Sequence, residues 1–300
     1  MKNIIYIIFG LLIANDSYSQ NKNTSKADRL YESYQYVDAI ETYEALVKEK
    51  KADTYVYKQL ANSYYHIFNM EKASQYYAKA IEKSQDAETY YNYAQVLKTQ
   101  GNYTEANRQL DMFSKLKPND QRAKDYKVAT DYLSDLKAIS KSFDVSETII
   151  NQSNSSDFGA VLSNDNTVYF TSTRNTSNKT DQWSGQPYLD LYRVKYNTND
   201  GTLSEPEAIK ELNSRFHDGP ATISADGNVM FFSRDGLAEG SFEKDRKANV
   251  KIGRVGIYRA EKREGKWVNI KPMPFNSTRY SVGNPSLSKD GKTLYFASNM

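Results

Sequence analysis

Three hundred residues, 39% hydrophobic and 26% charged, describe a globular chain long enough for two domains. Forty basic against 37 acidic side chains leave a net charge of +3, which excludes binding driven by a clustered basic surplus, as on a nucleic acid. The chain has no cysteine, hence no disulfide, thiolate metal site, cysteine nucleophile or lipid-bearing N-terminal cysteine, and only two histidines, His66 and His217, while tyrosine occurs 25 times.

The chain opens on Met1-Lys2-Asn3, an apolar run from Ile4 to Ala14, and Ser17-Tyr18-Ser19 before Gln20. That run is far short of the roughly 20 residues a membrane-spanning helix needs. Residues 1–19 read as a cleaved secretory signal peptide, and no later segment is apolar enough to span a bilayer. An exported chain without cysteine suits a bacterial periplasm or envelope.

Residues 22–140 carry a helical period. Leu60, Ala61 and Tyr64 are followed by Ala73, Tyr77 and Ala80. Tyr93, Ala94 and Leu97 are followed by Ala106, Leu110 and Phe113, and Ala27 and Leu30 by Ala39, Tyr43 and Leu46. One alanine recurs at 39, 73 and 106, spacings of 34 and 33. Apolar residues three and four apart form one stripe, and small residues stand where two helices must approach closely. Asn69-Met70 and Gly101-Asn102 supply turns, and Asn119 to Ser140 is expected to cap the stack. The pattern resembles the tetratricopeptide (TPR) repeat. That resemblance implies a concave groove built from the first helix of each unit, at Lys58, Asn62, Tyr65 and His66, then Tyr91, Gln95 and Lys98. Such a row either binds an extended peptide or a partner's tail, or is a solvated face of packed tyrosines. No second ligand stands at metal spacing from His66.

From residue 141 to 300 the period alternates. Ser163-Asn164-Asp165-Asn166, Ser224-Ala225-Asp226-Gly227 and Ser288-Lys289-Asp290-Gly291 each lead into a short apolar run, a hairpin signal. Leu191-Tyr192-Arg193 echoes Ile257-Tyr258-Arg259 as a third strand. Ile150-Asn151, Leu212-Asn213 and Phe275-Asn276 echo one another at the end of a fourth. Four strands per unit is the blade of a β-propeller, and the motifs look like TolB-type, WD-like repeats. The fold class expected is therefore an α + β multidomain chain, a TPR α-solenoid followed by an incomplete antiparallel β-propeller; a two-sheet sandwich is the alternative. The hairpin serines lie 61 and 64 residues apart, longer than compact blades of about 40–45. Arg174 to Pro187 and Gly236 to Arg254 are expected to be long surface loops. Phe143 to Ile150 is expected to be an orphan fourth strand, and Ser288 to Met300 the opening of an unfinished unit, as in the front part of a longer protein.

Signal peptide, TPR units, Ser155-Ser156-Asp157-Phe158-Gly159 and Asp-Gly blades together resemble the OmpA-related envelope proteins of Bacteroidota, some of which serve type IX secretion. The resemblance implies a periplasmic protein associated with the outer membrane, with other envelope proteins as partners. It implies peptidoglycan contact only through a domain not present here, and no cofactor.

No nucleophile elbow, zinc motif or phosphate loop occurs. Asn197 to Gly201 lacks the first carboxylate of a calcium loop and reads as a turn; His217-Asp218 reads as a loop pair bonded to nearby backbone. Trp183, a bulky aromatic in a polar loop, is a candidate anchor for a protein partner, or packs beneath its own loop or plugs the channel. Trp267 belongs to a core. The expected function is a non-catalytic envelope scaffold with neither catalytic nor metal-binding residues. A propeller-gated exported peptidase, its catalytic domain beyond residue 300, and a glycan-capturing helical repeat protein are the alternatives.

Overall fold

The computed structural model describes residues 23–83, 85–128, 134, 138–139, 143–151, 154–175, 179–245 and 250–300. The expected signal peptide and the expected capping residues Ala129, Leu133 and Leu136 lie outside the described residues. No helix among the described residues is long and apolar enough to cross a membrane.

Helices pair along the chain: α1 (Ser25–Glu32) with α2 (Tyr36–Lys48), α3 (Thr54–His66) with α4 (Met70–Ala80), and α5 (Ala87–Thr99) with α6 (Tyr103–Leu116). A further helix, α7 (Gln121–Val128), closes the stack. The array is TPR-like. Ala39, Ala73 and Ala106 are all fully buried, as helix pairs in close approach require. Helix starts repeat too: Asp53 and Asp86 cap α3 and α5, accepting from Val56 N–H and Thr89 N–H. Asn69 and Asn102 cap α4 and α6, accepting from Lys72 N–H and Glu105 N–H.

The tyrosine surplus has a physical use. Buried rings supply apolar area while their hydroxyls find acceptors. Asp28, 2% exposed, accepts from Tyr43 Oη at 2.5 Å and Tyr55 Oη at 2.9 Å, and Glu44 accepts from Tyr64 Oη at 2.7 Å. The turn inside each helix pair repeats a left-handed residue: Tyr34 at φ 61°, Phe68 at φ 60° and Gly101 at φ 73°.

The remaining strands are all antiparallel. β1 (Asp157–Leu162), β2 (Thr167–Ser172), β3 (Asp190–Lys195) and β4 (Glu207–Ala208) form one sheet in sequence order. Next come β5 (Asp218–Ile223) and β6 (Val229–Asp235), a side hairpin β7 (Phe242–Asp245) and β8 (Val250–Gly253), then β9 (Val255–Arg263) and β10 (Lys266–Pro272). The second sheet runs β5-β6-β9-β10. β11 (Val282–Leu287) and β12 (Leu294–Ser298) make a third hairpin. The hairpin tips close as the Asp-Asn and Asp-Gly pairs require, with positive φ at Asn166, Gly227 and Gly291.

Each opening hairpin carries a bulge at the same place, between Phe158 and Val161, Asp218 and Ala221, and Gly283 and Ser286. Gly219, at φ +104°, lets the bulged strand approach its neighbour: a Cβ there would lie 2.3 Å from Thr171 Oγ1. β5 packs on β1, β2 and β3, and β11 on β5, β6 and β9, so each new sheet lays its first strand against the sheet before it. One buried cluster bridges the first two sheets, joining Tyr169 and Leu191 to Phe232, Tyr258 and Trp267.

Two expectations change. Phe143 to Ile150 is not a strand: residues 143–148 join no ladder, Phe143 and Val145 are 81% and 90% exposed, and residues 149–151 form a 3-10 turn. A strand needs a neighbour to take its backbone groups, and no described segment pairs there. Gly236 to Arg254 is not simply a loop but a 3-10 turn and the β7–β8 hairpin. The described part of Arg174 to Pro187 is a surface loop, and its Gln182 and Trp183 contact the helices.

Candidate functional site

Two structural devices build the site. The first is a repeated arginine. Arg234 Nε donates to Asp218 Oδ1 at 2.6 Å and Arg234 Nη2 to the Leu212 carbonyl at 2.5 Å, with its guanidinium over Phe232 and Tyr258. Arg174 Nη2 donates to Asp157 Oδ1 at 2.7 Å and to the Ile150 carbonyl at 2.6 Å, over Phe170 and Tyr192. Each arginine thus ties the first strand of a sheet to the segment preceding it. Burial raises the pKa of Asp218 against the pull of Arg234. In the third hairpin the matching positions are Val282, fully buried, and Ser298, which cannot form that ion pair.

Asparagine adds a second tie. Asn213 accepts from Leu191 N–H and donates to Leu191 O at 2.8 and 3.1 Å; Asn276 does the same at Ile257, at 3.0 and 2.9 Å.

The second device is an interlock between the helices and the first sheet. Asp181 organises the loop by accepting from Trp183 N–H at 2.8 Å and Ser184 N–H at 2.9 Å, while Gln186 Oε1 accepts from Ser156 and Thr173. The loop presents Trp183 to the helical array. Its ring stacks on Tyr34 at 5.7 Å and 4°, meets Tyr36 edge-on at 5.1 Å, and its Nε1–H donates to His66 O at 3.1 Å. Val37 N–H donates to Gln182 O. Trp183 is 46% exposed, yet its partners are in its own chain.

Between these devices lies a cleft of about 1050 Å³. His66, Ile67 and Phe68 form one wall, the Asp181–Gln186 loop another, and the bulged strands with Phe158, Pro220 and Gly283 the floor; His217, Arg234, Asp235 and Val255 complete it. His217 Nδ1 accepts from Leu189 N–H at 3.1 Å, so the neutral ring carries its proton on Nε2. Burial lowers the pKa of His217 although Asp181, Asp235 and Asp218 oppose this. Burial also raises Asp235, and burial with the nearby Asp218 pushes Asp190, at the start of β3, up to about 6. The site is acidic and apolar together. His217 and Asp218 hold neighbouring backbone and Arg234. Among the described residues no three His, Asp or Glu side chains converge as a metal site.

Of the residues singled out from sequence, His66, Trp183 and His217 come together at this cleft. His66 is held by Tyr36, stacked at 4.4 Å and 14°, and by Tyr31 Oη at 3.3 Å from Nε2, and burial lowers its pKa. Lys58, Asn62 and Tyr65 share α3 with His66, but Lys58 pairs with Asp86 at 3.0 Å and Asn62 accepts from Tyr77 Oη at 2.6 Å. Tyr91 lies under Arg122, 4.4 Å from the guanidinium carbon. Gln95 and Lys98 are half-buried on α5, away from the cleft, and burial lowers Lys98. Phe68, Asp181 and Asp235 were not singled out. The aligned turn at Tyr34, Phe68 and Gly101 is the signal that marks Phe68.

No family profile and no curated protein matches the chain. Among solved structures it is similar to the C-terminal part of a TPR repeat-containing protein from Cytophaga hutchinsonii, at 20% identity and TM-score 0.33 over 38% of this chain and 45% of that one. It is also similar to the OM64 TPR domain from Arabidopsis, at 21% identity and TM-score 0.32 over 38% and 93%. A third is the type III secretion translocator chaperone SycD of Yersinia enterocolitica, at 22% identity and TM-score 0.31 over 41% and 83%. The chain spans less than half the length of the Cytophaga structure. The likeness extends to helical architecture alone.

Proposed function

We propose that this chain is a non-catalytic scaffold that binds protein partners in the cleft between its helical array and its sheets. We further propose that the sheets are blades of a β-propeller, and that the protein works in the periplasm at the outer membrane, as an OmpA-type envelope component. The interlock carries the scaffold proposal: Trp183 fastens two repeat platforms so that both face one cavity, with Phe68, Phe158 and Val255 exposed at 81%, 44% and 38% along it. Exposed apolar side chains gathered around a concavity mark an interaction surface. The blade proposal draws on the sequence-order sheets and the bulges that recur in step.

A photo-crosslinking amino acid in place of Phe158, inside the cleft, is expected to yield adducts with another protein in the native cell envelope. The same group in place of Met112 on α6, outside the cleft, is expected to yield none. Equal yields at the two positions, or none at either, would refute the scaffold proposal.

A further inference from the structure

We infer that the cleft takes an extended peptide segment in which a basic side chain is flanked by apolar ones, Phe68 holding the apolar part and Asp181 and Asp235 the cation. This deepens the scaffold proposal and rests on it for the existence of a protein partner.

The first ground is the backbone. Gly101 occupies the left-handed turn position of the third helix pair; in the second pair the same position is Phe68, at φ 60°. A bulky L-residue is disfavoured there. Exposing the ring, 81% accessible, adds no burial in return. Tyr34 at the first such turn uses its ring against Trp183, but among the described residues Phe68 makes no aromatic pairing. A side chain held against both local preference and water, at the rim of a cavity, is placed for a contact from outside the chain.

The second ground is charge. Among the described residues the partners of Asp181 and Asp235 are neutral: Trp183 N–H and Ser184 for one, Leu237 N–H for the other. Arg234, the one guanidinium among the described residues lining the cleft, is committed to Asp218 at 2.6 Å and Glu239 at 3.7 Å. Apolar walls strengthen the field of these two carboxylates, whose titratable neighbour His217 is held back from protonation by burial. A lysine or arginine satisfies both surfaces, its methylene stem along Pro220 and Leu189 and its head at the carboxylates. An acidic segment meets repulsion there, and a wholly apolar one leaves two carboxylates desolvated without a partner.

The test uses the full chain and a fluorescein-labelled heptapeptide of alternating leucine and arginine, read by fluorescence anisotropy. Two control peptides replace every arginine by glutamate or every leucine by serine. Phe68→Gly installs the residue the turn prefers, so the variant keeps its fold, which its Tm verifies. Saturable binding of the leucine–arginine peptide is expected, about tenfold weaker for either control and about tenfold weaker in Phe68→Gly, the loss typical of an aromatic anchor. Asp235→Asn is expected to weaken the arginine peptide and narrow its advantage over the glutamate peptide. Equal affinity of wild type and Phe68→Gly, equal binding of the arginine and glutamate peptides, or no saturable binding would overturn the inference. Such a failure with crosslinks from Phe158 intact leaves the scaffold proposal standing and removes only this peptide chemistry.

Discussion

The helical array and the sheets are both repeats, but they are fastened by different physics. Helix pairs repeat through side chains that ride on the period itself: buried Ala39, Ala73 and Ala106, and caps at Asp53 and Asp86, Asn69 and Asn102. The sheets are tied by an ion pair whose arginine slips along the chain, 17 residues after Asp157 in one unit and 16 after Asp218 in the next. Small apolar contacts fix the spacing inside each helix pair, 12 residues from Ala27 to Ala39, Ala61 to Ala73 and Ala94 to Ala106, and the one-residue slip from 34 to 33 falls between pairs. A long guanidinium reaches its carboxylate and carbonyl from either position, so the device persists while its spacing drifts.

The sharpest way to break that comparison is the arginine. Arg234→Met leaves Asp218, 0% exposed, without its ion-pair partner, and is expected to lower stability by about 3–5 kcal/mol in chemical denaturation. Arg174→Met should cost less, because its pair is 15% and 5% exposed against 9% and 0%. Losses below about 1 kcal/mol in both would show that the ties are as dispensable as in the third hairpin, where Val282 and Ser298 cannot form that ion pair.

Trp183→Ala removes a stacked pair and an indole hydrogen bond, together about 2 kcal/mol. Because that contact joins the two halves, calorimetry should show one transition splitting into two; an unchanged single transition would count against the interlock.

Within the helices, Asn69→Ala should cost about 1 kcal/mol through the lost cap. Phe68→Gly, one residue earlier, should gain about 1 kcal/mol by relieving its left-handed turn. Opposite signs at adjacent positions would separate what serves folding from what serves binding.

The smallest effect concerns Asp190. Its folded pKa of about 6 lies above the ordinary 3.8, so the folded state disfavours its ionised form. Stability attached to this group is present below about pH 4 and is lost as pH rises through about 6. Asp190→Asn should therefore stabilise the protein by about 1 kcal/mol at pH 7–8, after allowing for solvent screening, and by nothing below pH 4. A gain independent of pH would mean the group does not titrate as described.

Much of this fold is legible in the order of residues, and much of the site is not. Hairpins at Asp165, Asp226 and Asp290 announce themselves because a two-residue turn needs positive φ and few residue types accept it. Trp183 stands out in its polar loop, but its partner lies elsewhere: Tyr34, Tyr36 and His66 reach it only after the loop folds back onto the helices. The Phe143–Ile150 segment carries strand-like alternation, yet among the described residues no strand pairs with it, so the pattern alone misleads. Asn276 looks like a turn residue and instead clamps both backbone groups of Ile257.

Local chemistry therefore settled the elements: helix stripes, caps and tight turns depend on neighbours a few residues away, and these are written consecutively in the chain. Tertiary structure alone decided that Asp181, Asp235, His217 and Phe68 share one cavity, because they come from a loop, a strand end, a bulged hairpin and a helix turn. Burial and charge at that cavity are properties of the whole packing, and no short window of sequence contains them.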